Sequence, residues 1–130
     1  MHQRALLASS LVLPVLLFGC SPATKITATP WQASPDGEWV ARVARYDTVG
    51  PGLDDLHEIV ELRRRTADKG ADLFSVDEGG VPPDELKGPP VITLHWRDRT
   101  HLEIDYRAGK IDHQVVKVAG LTIETRKLAV

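Results

Sequence analysis

Hydrophobic and polar residues fall into two regimes along this chain. Behind the short polar segment Met1-His2-Gln3-Arg4 comes an uncharged apolar run, Ala5 to Phe18. At about 14 residues it falls short of the roughly 20 that a helix needs to cross hydrocarbon, so it reads as the h-region of a secretory signal. After it the pattern changes to short apolar stretches of period two, broken by turn residues, which predicts strands. Ser34-Pro35-Asp36-Gly37 is the first turn: Pro presets φ and Asp-Gly tolerates a tight reversal. Glu38 to Tyr46 then reads as a strand with Trp39, Ala41 and Val43 on one face and Val40, Ala44 and Tyr46 on the other, so both faces are expected to be partly covered.

A loop is expected from Asp47 to Leu53, broken by Gly50-Pro51-Gly52. Asp54 to Arg65 fits a helix capped by Asp54 or a strand. The strand reading, centred on His57 to Arg64, is preferred because Ala67-Asp68-Lys69-Gly70 supplies a turn into a second run, Asp72 to Asp77. Gly79 to Pro90 is rich in Pro and Gly and predicts a long loop, with room for one helical turn at Pro83 to Lys87. Strands follow at Val91 to Arg97, Thr100 to Tyr106, Ile111 to Val118 and Leu121 to Leu128. Pairing Ile92 with Ile104 and Leu94 with Leu102 gathers the apolar side chains of one hairpin on one face, whereas a slip of one residue sets Leu94 against Glu103. That register places His95 opposite His101, with Glu103 and Asp105 farther along the same polar face.

The expected organisation is therefore a signal peptide over 1–19, a short tether over 20–25 and one domain over 26–130. The fold class is mainly β: a single small antiparallel β-sheet domain of about six to eight strands, meander-like. About 110 residues remain after the leader, enough to bury a core without metal or disulfides. The formal charge of −2 becomes slightly more negative once Arg4 is removed, which gives no reason to expect nucleic acid as a partner.

Cys20 is the only cysteine. In an oxidising compartment it has no intramolecular partner, and an A-x-A-like cleavage site is absent before it. Leu17-Phe18-Gly19-Cys20 resembles the lipobox of bacterial lipoproteins. The resemblance implies cleavage before Cys20 and lipidation of its thiol, usually with a further N-acyl chain such as palmitate. At about 0.8 kcal/mol per buried methylene, two or more chains hold a protein at a bilayer. Ser21 after the cysteine, rather than aspartate, implies the periplasmic face of the outer membrane.

Chemistry-bearing residues are few. His95 and His101, facing each other with Glu103 nearby, form a candidate site for zinc or copper, since neutral imidazoles and a carboxylate suit either ion. His57-Glu58-Ile59-Val60-Glu61 holds half of an H-E-x-x-H motif, but Glu61 stands where the second histidine would be, so the expected role is a solvated strand edge. Arg63-Arg64-Arg65 fits protection of a sheet edge better than anionic headgroup binding. No G-x-S-x-G, S-x-x-K or phosphate-cradling glycine pattern is present, so no catalytic residue and no cofactor is assigned. Trp31, Trp39 and Trp96 are expected mainly in the core, with a ligand groove as the alternative.

Two stretches, Ser34-Pro35-Asp36-Gly37-Glu38-Trp39-Val40-Ala41 and Leu94 to Tyr106, resemble small bacterial envelope proteins of the S-P-D-G and W-x-D-x-x-x-L-x-I-x-Y type, close to the DUF5412 type. Many of these are lipoproteins. The resemblance implies a small β-rich fold and contributes no catalytic residue. The resulting expectation is an envelope lipoprotein that is not an enzyme and binds a protein or cell-wall partner. The alternatives are a periplasmic inhibitor or immunity lipoprotein, and a metal-binding protein using His95 and His101.

Overall fold

The computed structural model describes residues 23–50, 53–77 and 89–129. Cys20, the signal segment and the helical turn expected at Pro83 to Lys87 lie outside them. The regular elements among the described residues are all strands: β1 (Ala23–Ala28), β2 (Gln32–Ala33), β3 (Trp39–Gly50), β4 (Leu53–Arg64), β5 (Ala71–Asp77), β6 (Ile92–Asp98), β7 (His101–Tyr106), β8 (Lys110–Gln114), β9 (Lys117–Val118) and β10 (Leu121–Lys127). The protein is mainly β, as the period-two patterning predicts.

The strands form two sheets. The larger runs β1-β3-β4-β5-β8, with β2 also on β3, and the smaller runs β6-β7-β10-β9. One apolar cluster lies between them, built on Ala41, Val43, Val60, Leu62, Leu73, Phe74 and Val76 from the first sheet and Ile92, Leu94, Leu102, Ile104, Leu121 and Ile123 from the second. The Phe74 and Tyr106 rings meet across the layers, their centroids 5.3 Å apart. Both faces of β3 are covered, as expected: Ala41 and Val43 point into the cluster, and Ala44 on the opposite face is also fully buried.

The Ser34 turn explains its own sequence. Gly37 N–H donates to the Ser34 carbonyl at 2.8 Å, and Gly37 takes φ +73°, where a Cβ would be strained. The buried Ser34 hydroxyl donates to the Asp36 carboxylate at 2.6 Å and accepts from Trp39 N–H at 3.1 Å. Those contacts, with the Glu38 N–H, hold the Asp36 carboxyl below the usual carboxylate range.

Several boundaries differ from expectation, each for a physical reason. Asp47 to Gly50 is strand rather than loop, because β3 pairs on both sides: Asp47 with Lys25 of β1 and with Leu56 of β4. For the same reason Ala23 to Lys25, expected in the tether, lie in β1, where Thr24 and Thr48 share a hydroxyl hydrogen bond of 3.1 Å. The single strand expected over 111–118 is two. Val115 N–H still donates to Leu73 of the large sheet, while the Val116 carbonyl already accepts from Ile123 of the small one. The chain changes sheets between them. Strand β10 then runs parallel to β7, so the topology is not a pure meander.

The β6–β7 hairpin pairs Ile92 with Tyr106, Leu94 with Ile104 and Trp96 with Leu102, two residues away from the expected register. The ladder is also irregular by one residue between Trp96 and Asp98, just before the turn. At that turn the Asp98 carboxylate accepts from Thr100 N–H at 2.8 Å and contacts His101 Nδ1 at 2.9 Å, which lowers its pKa from 3.8 to about 2. Its folded-state pKa lies below the unfolded value, so its contribution to stability is full above pH 3.8 and disappears as pH falls through about 2. A carbon-detected NMR titration should show the Asp98 carboxyl titrating near 2, with the Thr100 amide moving in step. A midpoint at the ordinary aspartate value would contradict the turn geometry.

Candidate functional site

Two polar surfaces lie on the outer faces of the sheets, and one polar latch lies between the sheets. The latch centres on Glu58, at the middle of β4. Leu56, Glu58, Val60 and Leu62 share the inward face, so the strand carries a carboxylate into the core, where it is completely buried. Arg45 Nη2 donates to it at 3.1 Å, and the backbone N–H groups of Val91 and Ile92 donate at 3.0 and 3.3 Å. Glu58 thereby ties the start of β6, in the small sheet, to the middle of the large sheet. Arg45 and Arg107 both donate to the Pro89 carbonyl just before this point. This is a structural role. The solvated edge expected of the His57 to Glu61 segment is not found, because β4 lies between β3 and β5.

On the small sheet, β7 is flanked by β6 and β10 and points Glu103 and Asp105 outward. Both side chains are nonetheless only 4% exposed, because cationic neighbours cover them. Arg126 makes two parallel hydrogen bonds of 3.2 Å to Asp105, and Arg97 holds Glu103. The Asp105 contact raises the Arg126 pKa further. His95 Nε2 lies 3.4 Å from Asp105. Ligand atoms of His95, Glu103 and Asp105 lie within 4.8 Å of one another, so the structure brings together two of the three expected metal ligands and adds Asp105. It does not bring in His101. The altered register sets His95 opposite Glu103 and leaves His101 with Asp98 at the turn. A cation here would have to displace guanidinium groups that already neutralise both carboxylates, so the arrangement is primarily a charge-compensated patch.

The outer face of the large sheet is different. Arg42, Tyr46, His57, Glu61 and Arg63 project there from β3 and β4, and Trp31, just before β2, lies against them. The guanidinium carbons of Arg42 and Arg63 are each 4.4 Å from the Trp31 ring centre. Arg42 is paired with Glu61 at 2.8 Å, and Glu61 also accepts from Tyr46 Oη at 3.3 Å. Burial and the Glu61 charge raise the Tyr46 pKa, so the ring stays a neutral donor. Tyr46 in turn stacks on His57, centroids 5.4 Å apart and ring planes nearly parallel.

Beside Trp31 is a cleft of about 190 Å³, lined by Arg42, Glu61, Arg63, Asp68, Gly70 and Asp72 among others. Its wall is tightly built. A Cβ on Gly70 would lie 1.9 Å from the Leu62 carbonyl oxygen, so only glycine lets the β4–β5 connection close there. The Arg63-Arg64-Arg65 run lies past the last β4–β5 pair, Leu62 with Ala71, where only β3 pairs with β4. Its first two members point to opposite faces: Arg63 to Trp31, and Arg64 to the Trp39 ring at 4.5 Å and to Glu38.

Of the three tryptophans, Trp39 joins the core and Trp96 packs at its margin, its indole N–H donating to the Gln32 carbonyl at 3.1 Å. Trp31 lines the cleft. The cue available in the sequence was spacing: Trp31 lies outside any apolar alternation, just ahead of the first turn. The sequence matches no protein-family model, and no similar curated protein or solved structure is found.

Proposed function

We propose that this chain is an envelope lipoprotein, held at a membrane by lipid on Cys20, whose β domain binds a cell-wall partner at the Trp31 cleft. The observation that carries the reading is the cleft itself. Among the described residues it combines an accessible indole with charged side chains of both signs that are not all satisfied internally, as binding surfaces do and packed interiors do not. The lipobox-like Leu17-Phe18-Gly19-Cys20 supports the tether, and the absence of a nucleophile, acid–base pair or cofactor motif in the sequence supports binding over catalysis.

The test uses the full chain expressed in a bacterium with a lipoprotein pathway. Cys20→Ala is expected to abolish palmitate labelling and release the domain from membranes. Trp31→Ala is expected to keep labelling and the thermal midpoint but lose most co-sedimentation with isolated cell-wall sacculi. Undiminished sedimentation of Trp31→Ala would rule out the cleft, and surviving label on Cys20→Ala would rule out the tether.

A further inference from the structure

The charges of the cleft are unevenly satisfied. Arg42 has Glu61. Arg63 has no carboxylate partner among the described residues. Its Nε is buried without a hydrogen-bond acceptor, and its one polar contact is a long 3.4 Å donation from Nη1 to the Ala67 carbonyl. A half-buried guanidinium centred 4.4 Å from an indole ring, with Nη donor capacity left over, is suited to a carboxylate that accepts from it. Across the same cleft the Asp68 and Asp72 carboxylates are exposed, and neither is hydrogen-bonded or ion-paired among the described residues. The backbone carbonyl of Asp72 is engaged by His113, which steadies that wall while leaving the carboxylate open.

A single cleft thus offers one unsatisfied cation and two unsatisfied anions around an aromatic ring. A neutral sugar could hydrogen-bond these groups but would neutralise none of their charges, and a polyanion would meet Asp68 and Asp72 unfavourably. The volume, about 190 Å³, is below the range that encloses a drug-sized molecule, so it suits the end of a longer ligand rather than a whole one.

We infer that the Trp31 cleft takes a short peptide bearing both a free carboxylate and a free ammonium group, the carboxylate on the Arg63 guanidinium and the ammonium between Asp68 and Asp72. This inference rests on the wall-binding reading above and narrows its ligand.

The probe is the dipeptide alanyl-alanine, titrated into the 15N-labelled full chain in detergent micelles and followed at the Trp31 indole N–H and the Arg63 Nε–H. Saturable shifts at both are expected. The N-acetylated and the C-amidated dipeptides should each bind at least about tenfold more weakly, since each loses one charge-assisted contact. Asp68→Asn with Asp72→Asn, both at exposed positions, should weaken the free dipeptide and its C-amide but leave the N-acetylated form unchanged. Equal binding of free and blocked dipeptides would overturn the inference. So would an absence of shifts at Trp31 and Arg63. If sacculi still sediment the chain through Trp31 in that case, wall binding stands and only the ligand class is wrong; if they do not, both fall.

Discussion

Glu58→Ala is expected to destabilise the domain by about 3–5 kcal/mol, the range for breaking a buried ion pair from one side. The carboxylate is fully buried and accepts from three residues, Arg45, Val91 and Ile92. Its removal takes the counter-charge from Arg45 and leaves the Val91 and Ile92 N–H groups without an acceptor inside the protein. For a domain whose total stability is of order 5–15 kcal/mol, that is a large share, and the thermal midpoint should fall by more than about 12 °C. Glu58→Gln keeps the shape and one acceptor oxygen, so it should lose distinctly less. Urea denaturation of the three proteins measures both effects. A loss under about 1 kcal/mol for the alanine variant would mean that Glu58 does not join the sheets as described.

Phe74→Ala should cost a comparable amount, about 3–5 kcal/mol, by a different mechanism. Phe74 is the largest fully buried side chain among the described residues and meets Tyr106 of the opposite sheet. Truncation removes apolar burial and opens a void between two sheets that cannot close, because Leu62, Val76 and Ile104 are themselves pinned in strands. Phe74→Leu refills most of that space and should cost less than about 1.5 kcal/mol. The two sites also differ in chemistry: the Glu58 variant should recover part of its loss when Arg45 is replaced as well, whereas Phe74→Ala should be indifferent to that second change. Equal losses for Phe74→Leu and Phe74→Ala would show that the position is loosely packed.

What could be read from the sequence follows from what side-chain alternation encodes. Period two tells which residues share a face, and this sufficed for the β class, for both covered faces of β3 and for the inward set Leu94, Leu102 and Ile104. It does not tell which residue lies opposite which. Slipping the β6–β7 pair by two residues leaves every side chain on its original face, so hydrophobic pattern cannot distinguish Leu94 beside Leu102 from Leu94 beside Ile104. The hairpin irregularity near Asp98 decides it, and with it whether His95 faces His101 or Glu103. The parallel pairing of β10 with β7 is equally invisible, because it depends on a connection through β8 and β9 that changes sheets at Val115 and Val116.

The two stretches that carry the envelope-protein resemblance turn out to be architectural. Ser34, Asp36 and Gly37 build a turn, Asp98 caps another, and Leu102, Ile104 and Tyr106 fill the core. That is why they suggested a fold and no activity. Glu58 did leave a trace, a lone acid in the apolar register Leu56, Val60, Leu62, but only a neighbouring sheet gives that acid its partners. The cleft left less, since it joins Trp31, Arg42, Arg63 and Asp72 from four separate places in the chain.

The central claim is that the domain works through the outer face of its large sheet, at Trp31. In-cell photo-crosslinking tests it most directly, with a photoreactive phenylalanine analogue placed either at the exposed Lys69, beside the cleft, or at Thr122, on the small sheet. The account predicts wall-linked adducts from position 69 and none above background from position 122. Adducts from position 122 alone would contradict it.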